Sequence, residues 1–109
     1  MEIGEDRQGA LTVLRPVGQI DNKTCLVFED GLRRGLDAGP TLVDFTGVEF
    51  ISSAGLAVLM TAIKRAKAEK GKLAVAALRP LVQEIFQIAR FNLVVKVYGT
   101  AAEGIAEMQ

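Results

Sequence analysis

Thr41-Leu42-Val43-Asp44-Phe45-Thr46-Gly47-Val48-Glu49-Phe50-Ile51-Ser52-Ser53-Ala54-Gly55-Leu56 is the stretch on which the fold turns. Thr41 to Phe45 is a short apolar run with β-branched residues, which predicts a strand. Thr46 to Ile51 reads as a link. A helix then begins at Ser52 or Ser53, either of which can cap it. Leu56, Leu59, Met60 and Ile63 recur at helical spacing and predict its buried stripe, with Val58 and Ala62 beside them. Lys64, Arg65, Lys67 and Lys70 fall late in this helix, where positive charge suits the dipole. Gly71 is the stop signal.

The same alternation extends in both directions. Upstream, Leu11 to Val17 predicts a strand that stops at Gly18. Pro16 cannot donate to a ladder, so it predicts a bulge or an unpaired N–H side. Glu2 to Gln8 is placed to pair with this strand through a turn at Gly9. Asp21 or Asn22 can cap a first helix, in which Cys25, Phe28, Leu32 and Leu36 form the apolar stripe. Gly39-Pro40 ends it. Downstream, Lys72 to Ala77 predicts a strand. Pro80 opens a helix to about Arg90 that would bury Leu81, Val82, Ile85, Phe86 and Ala89. Leu93 to Tyr98 predicts the last strand. Thr100-Ala101-Ala102-Glu103 is a capping box for a terminal helix. The order is β-β-α-β-α-β-α-β-α, which predicts an α/β fold with a mostly parallel sheet of about five strands and about four helices.

Composition narrows the function. With 109 residues, half of them hydrophobic, the chain can bury the core of one domain, taken as residues 1–109. Thirteen basic and thirteen acidic side chains cancel, so no basic excess points to nucleic acid. Histidine is absent and cysteine occurs once. These two counts remove the usual general base, the Ser–His and Cys–His pairs and the common zinc ligand sets. No enzyme activity, metal or cofactor is therefore expected. The acidic start has no apolar core and no run reaches membrane-spanning length, so a cytoplasmic protein without membrane insertion is expected. Cys25 reads as a buried structural thiol, because no basic neighbour would activate it. Glu2, Glu5 and Asp6 read as solvated surface. Phe86 and Phe91 read as packing residues, with Phe91 alternatively an exposed anchor. The scattered glycines make no dinucleotide fingerprint.

In a parallel sheet, partners meet the loops after the carboxyl ends of the strands. Those loops are Gly18–Thr24, Thr46–Ser53, Leu78–Pro80 and Gly99–Thr100. Within them Ser52-Ser53-Ala54-Gly55 stands out. Two hydroxyls occupy a helix start, where free N–H groups favour an anion. Gly55 costs ~1 kcal/mol against alanine in a helix, so its presence implies close approach or relief of crowding. On these residues alone, a plain N-cap with a glycine that relieves crowding is the favoured reading.

Asp44-Phe45-Thr46-Gly47-Val48-Glu49-Phe50-Ile51-Ser52-Ser53-Ala54-Gly55-Leu56 resembles the central motif of STAS domains, named for sulfate transporters and anti-sigma factor antagonists. Gly18-Gln19-Ile20-Asp21, followed by Thr24, resembles their second signature. The resemblance covers nearly the whole chain and implies a STAS-like fold. It further implies an antagonist that binds an anti-sigma factor serine kinase, thereby freeing a sigma factor. The kinase would then phosphorylate Ser53 and release the antagonist, and a serine phosphatase would reverse the step. Departures from the family pattern are Ser52, where aspartate is frequent, and Ala54, where serine is frequent. Ser52 is therefore a rival acceptor. The resemblance implies a partner-facing set of Asp21, Asn22 and Thr24 with Ser52, Ser53, Ala54 and Gly55, joined by Thr46 and Gly47. The alternative it allows is an unphosphorylated STAS accessory subunit of a membrane transporter or a larger signalling assembly.

Overall fold

The structure is a computed structural model that describes residues 1–109. The elements are β1 (Glu2–Gln8), β2 (Leu11–Ile20), α1 (Cys25–Ala38), β3 (Thr41–Asp44), β4 (Val48–Ile51), α2 (Ser53–Ala68), β5 (Leu73–Ala76), α3 (Pro80–Ile88), β6 (Lys96–Tyr98) and α4 (Ala101–Met108). A 3-10 turn, Phe91–Leu93, joins α3 to β6. The strands form one sheet in the order β1-β2-β3-β5-β6, with β4 paired to β2. Only the β1–β2 hairpin, turning at Gly9 with φ +65°, is antiparallel. The other pairs are parallel. The expected α/β fold with four helices is present, and the sheet has a sixth strand.

That sixth strand is β4, in the stretch read as a link. Four residues with a Val-Glu-Phe-Ile pattern are too few to give a periodicity signal. The strand exists because β2 is long enough to take two parallel neighbours. Thr12–Leu14 pair with β3, and Gly18–Ile20 pair with β4. The β2 strand thus runs past Gly18, whose φ of +104° marks a register shift that leaves Glu49 unpaired in β4. Pro16 lies between the two partner segments. Thr12 and Gly18 both send their N–H to the β3/β4 side, to Pro40 and Gly47 carbonyls at 2.9 Å. By alternation the Pro16 nitrogen faces that side too, in the gap where no donor is required.

The sheet is covered on both faces, so its central strand, β3, is buried throughout. Leu14, Val43 and Val75 face α1, α2 and α3, where they meet Phe28, Leu32, Leu59, Ile63, Val82 and Phe86. The alternate residues Val13, Leu42, Ala74 and Ala76 face α4 through Met108 and Ile105. Four phenylalanines link the larger core. The Phe28–Phe45, Phe45–Phe86 and Phe86–Phe91 ring centroids are 6.5, 5.7 and 5.5 Å apart. Phe45 is central to this chain and joins α1 to α3. Phe91 is buried in it and is no exposed anchor.

Several expected burial positions shift. The buried stripe of α1 is Phe28, Gly31, Leu32 and Gly35, while Cys25 and Leu36 are half-buried. Gly35 is needed there, since a Cβ would stand 2.9 Å from Thr41 Oγ1. In α2, Leu59, Ala62, Ile63 and Ala66 are buried, and Leu56, Val58 and Met60 only partly. Helix α3 buries Val82 and Phe86, leaves Ile85 half-buried and exposes Leu81 and Ala89. It packs mainly on β4 and the 3-10 turn, which cover one of its faces. The last strand begins at Lys96, because Arg90 adopts φ +62° and Phe91–Leu93 coil into the 3-10 turn. At the end of α2 the left-handed residue is Lys70, φ +56°, while Gly71 donates its N–H to the Ala66 carbonyl. No helix is long and apolar enough to cross a membrane.

Phe45→Ala removes the middle ring of the aromatic chain. We expect it to cost ~3–5 kcal/mol, measured by urea denaturation. A loss below ~1 kcal/mol would show that the cluster collapses freely around the missing ring.

Candidate functional site

The site is built by the pairing of β2 with β4. Ile20 and Ile51 are register partners at the carboxyl ends of these strands. One residue on, the Ser52 N–H donates to the Ile20 carbonyl at 2.8 Å. The Asp21–Thr24 turn and the start of α2 are thereby held side by side at one edge of the sheet.

Asp21 and Thr24 build their own turn. Asp21 Oδ1 accepts from the Lys23 and Thr24 N–H groups at 2.9 and 3.2 Å. The Thr24 hydroxyl accepts from the Asp21 N–H at 2.9 Å and lies 2.8 Å from the Gln19 carbonyl, to which it donates. The Asp21 carbonyl accepts from Cys25 N–H at 2.8 Å. This is the local side-chain bonding that Asp and Thr offer at turns. Helix α1 therefore has Thr24 in the capping position, with no side-chain cap bond. Asp21 caps the turn that leads into it, and Asn22 caps nothing. Asn22 and Lys23 are exposed at the tip.

The two serines have different surroundings. Ser52 is the N-cap of α2, with φ −86° and ψ 174°. Its Oγ accepts from the Gly55 N–H at 3.2 Å, and its carbonyl accepts from the Leu56 N–H at 2.9 Å. Ser53 is the first helical residue and is exposed. Its hydroxyl has no hydrogen-bond partner within the chain, beside first-turn N–H groups that a helix cannot satisfy internally. Ala54 is half-buried beside it.

Gly55 explains itself by contact. A Cβ there would stand 2.7 Å from Ile20 Cγ2, 2.8 Å from Ile51 Cγ1 and 3.1 Å from the Ile20 carbonyl oxygen. The close approach anticipated from the sequence is that of the helix to its own two strands. It draws the start of α2 onto the Asp21 turn.

Thr46 and Gly47 sit apart from this cluster, at the opposite end of β4, about 13 Å along a four-residue strand. Asp44 Oδ1 accepts from the Thr46 N–H and hydroxyl at 2.9 and 2.6 Å. The other Asp44 oxygen lies 3.4 Å from Arg15 Nε. Arg79 Nε donates to the Thr46 carbonyl at 2.8 Å. Gly47 lies against Pro16 and Val17 and accepts from the Gly18 N–H. These residues shape the crossing from β3 to β4.

Some exposed residues at this edge carry no functional signal in the sequence. Leu26 and Val27, in the first turn of α1, are 72% and 45% exposed. Phe50, two residues before Ser52, is 38% exposed. Four consecutive apolar residues, Cys25 to Phe28, cannot all face inward from a helix, and this was the available clue. No group of three or more Cys, Asp or Glu side chains is arranged to hold a metal. The two resolved pKa shifts lie elsewhere. The Asp6 carboxyl is lowered, chiefly by the Gln8 amide and then by the Arg7 N–H and Arg15. The Arg65 guanidinium is raised by hydrogen bonds to Asp37 and Glu69.

The fold is a two-faced α/β sheet with a free serine hydroxyl displayed at a helix start. A family model described as "Mlab, STAS domain" matches residues 3–96, and the chain belongs to the STAS domain family. BtrV of Bordetella bronchiseptica, provisionally named an anti-sigma factor antagonist, is 27% identical over 93 residues, covering 84% of this chain and 80% of its own. An anti-sigma factor antagonist from Mycobacterium paratuberculosis superposes with a TM-score of 0.88 at 18% identity, over 97% of this chain and 92% of that one. SpoIIAA of Bacillus has been solved in two forms. The unphosphorylated form gives 0.82 at 15% identity, over 98% and 96% of the chains. The phosphorylated form gives 0.76 at 14% identity, over 99% and 100%.

Gly55→Ala should destabilise the fold by ~1–3 kcal/mol through overpacking, although alanine is the better helix former. A thermal melt checks it, with a fall of several degrees expected. An unchanged or higher melting temperature would mean that Ile20 and Ile51 give way without cost.

Proposed function

We propose that this chain is an anti-sigma factor antagonist, a binding module with no catalytic turnover, switched by phosphate on Ser53. Its partner in this reading is an anti-sigma factor that is also a serine kinase, and a serine phosphatase restores the binding form. The observation that carries the reading is the division of labour between the two serines. Ser52 spends its hydroxyl on the Gly55 N–H, while the Ser53 hydroxyl is exposed and unpartnered. The relatives named as anti-sigma factor antagonists support the same class.

The proposed partner surface is Asn22, Ser53 and Ala54, with Asp21, Thr24, Ser52 and Gly55 holding its shape and Thr46 and Gly47 setting the approach of β4. A phosphoserine adds about −1.5 to −2 charges at neutral pH. The helix start tolerates that charge, since its N–H groups and dipole favour an anion. A partner packed on a neutral hydroxyl does not. A loss of ~3 kcal/mol would weaken the complex more than a hundredfold.

Three variants test the switch, read by calorimetry with the cognate kinase and by intact mass after phosphorylation. Ser53→Ala should bind and accept no phosphate. Ser53→Asp should melt like the parent yet bind at least about tenfold more weakly, a change of ~1.4 kcal/mol. Ser52→Ala should still accept phosphate while losing ~1 kcal/mol of capping. Parent-like binding by a folded Ser53→Asp would end the charge mechanism. Loss of phosphate transfer in Ser52→Ala alone would move the acceptor to Ser52. Capture of a transporter ATPase in place of a serine kinase, with no phosphate on Ser53, would favour the accessory-subunit alternative.

A further inference from the structure

The neutral total conceals a charge split. Residues 1–49 carry nine acidic and five basic side chains, and residues 50–109 carry four and eight. The ion pairs add a second asymmetry. Arg15, Arg33, Arg34 and Arg65 make all of them. None of the six lysines in the sequence takes part.

Most of these unpaired lysines gather at the end of the sheet opposite Ser53. A cleft of about 380 Å³ lies under the amino ends of β5 and β6, between the last turns of α2 and α4. Lys67, Lys72 and Lys96 rim it. Its floor is apolar, with Ala74 and Val95 buried and Met108 closing one side. The Tyr98 ring forms part of the wall, with Lys96 Nζ 5.5 Å from its centroid. One carboxylate, Glu107, also lines the cleft. A second hollow, lined by Lys70 and by Glu69, which pairs with Arg65, adjoins it and shares Lys72 and Met108.

Lysines late in a helix complement its dipole, which accounts for Lys67 and Lys70. It does not account for Lys72, just before β5, or Lys96, the first residue of β6. Three ammonium groups around an apolar floor repel one another, and one carboxylate does not balance them. A ligand that satisfies both features has an anionic head and a short apolar body. The volume is at the lower end of the ~300–1,000 Å³ of small-molecule sites.

We propose that this cleft binds a small amphiphilic anion, with its carboxylate, phosphate or sulfonate head among Lys67, Lys72 and Lys96 and its apolar part on Ala74 and Val95. The site is at the opposite sheet end from Ser53, so ligand and protein partner would bind together. The inference stands whether or not the switch at Ser53 does.

The probe is octyl phosphate below its micelle concentration, titrated into the 15N-labelled full chain and followed by amide shifts. Saturable binding is expected, with shifts confined to residues 66–74, 94–98 and 107–108. Octanol lacks the charged hydrogen bonds and inorganic phosphate lacks the apolar contact, each a factor of about ten or more, so each should bind at least roughly tenfold more weakly than the probe. Lys72→Gln with Lys96→Gln should weaken the probe by a similar factor without moving the melting temperature, since both side chains are exposed. Lys23→Gln, at the other edge, should bind as the parent does. Five outcomes would overturn the proposal. They are no saturation, shifts centred on Asp21–Thr24, equal binding of inorganic phosphate, parent-like affinity in a folded double variant, or binding to anionic vesicles with none to the monomeric probe.

Discussion

β2 is ten residues long, about 30 Å at ~3.3 Å per residue, which matches the longest dimension of the molecule. No one parallel neighbour accompanies it over that length. β3 covers its first part and β4 its last, with Arg15, Pro16 and Val17 between them. Everything at the candidate site follows from this divided pairing. Had β4 been a loop, α2 would start wherever Gly47 to Ile51 happened to wander. As a strand locked to β2, it delivers Ser52 to within a hydrogen bond of Ile20. The Asp21 turn leaves from that same carbonyl, so two loops far apart in sequence share one anchor.

The anchor works only because of its small residues. Gly55 lets the α2 backbone sit on Ile20 and Ile51, and Gly47 lets the chain pass over Pro16 and Val17. Neither glycine is needed for positive φ, which occurs instead at Gly9, Gly18 and Gly39. Their role is approach distance. Buried Asp44 then braces the start of the crossing by accepting from the exposed Thr46 hydroxyl and N–H at 2.6 and 2.9 Å. A buried carboxylate is costly to leave without donors, so these bonds favour one arrangement of the crossing.

Much of this was legible in the sequence. The alternation of strands and helices, a serine cap at Ser52 or Ser53, the cap at Thr100 and the stop near Gly71 follow from local chemistry. So does the adjacency of the Asp21 and Ser52 loops, once a parallel sheet is inferred. What was not legible depends on tertiary pairing. Val48–Ile51 is too short to declare itself as a strand, and its existence rests on the free flank of β2. Leu93 to Val95 reads as strand by composition, yet the left-handed Arg90 and the burial of Phe91 bend it into a 3-10 turn. Leu81 matches the helical period and is nevertheless exposed, because the period gives a face and not the neighbour that covers it. The choice between Ser52 and Ser53 was likewise open in sequence. The Ser52 φ and ψ, which place it outside the helix, assign it the capping bond.

The same assignment bears on why the proposed switch and the fold need not compete. The capping bond is made by Ser52, and the helix propagates from it through the Leu56 N–H. A change in charge one residue later acts on exposed groups at the positive end of the dipole. It adds an anion where the backbone already favours one and removes no bond on which the core relies. The aromatic chain through Phe45 belongs to the buried core that Ile20 and Ile51 share, and Gly55 packs on those two isoleucines. A modification at Ser53 would therefore be read by whatever docks on the surface, while the packing below keeps its arrangement. In the proposed switch, separating the cap from the acceptor by one residue would let a domain of ordinary, marginal stability carry the added charge on its rim.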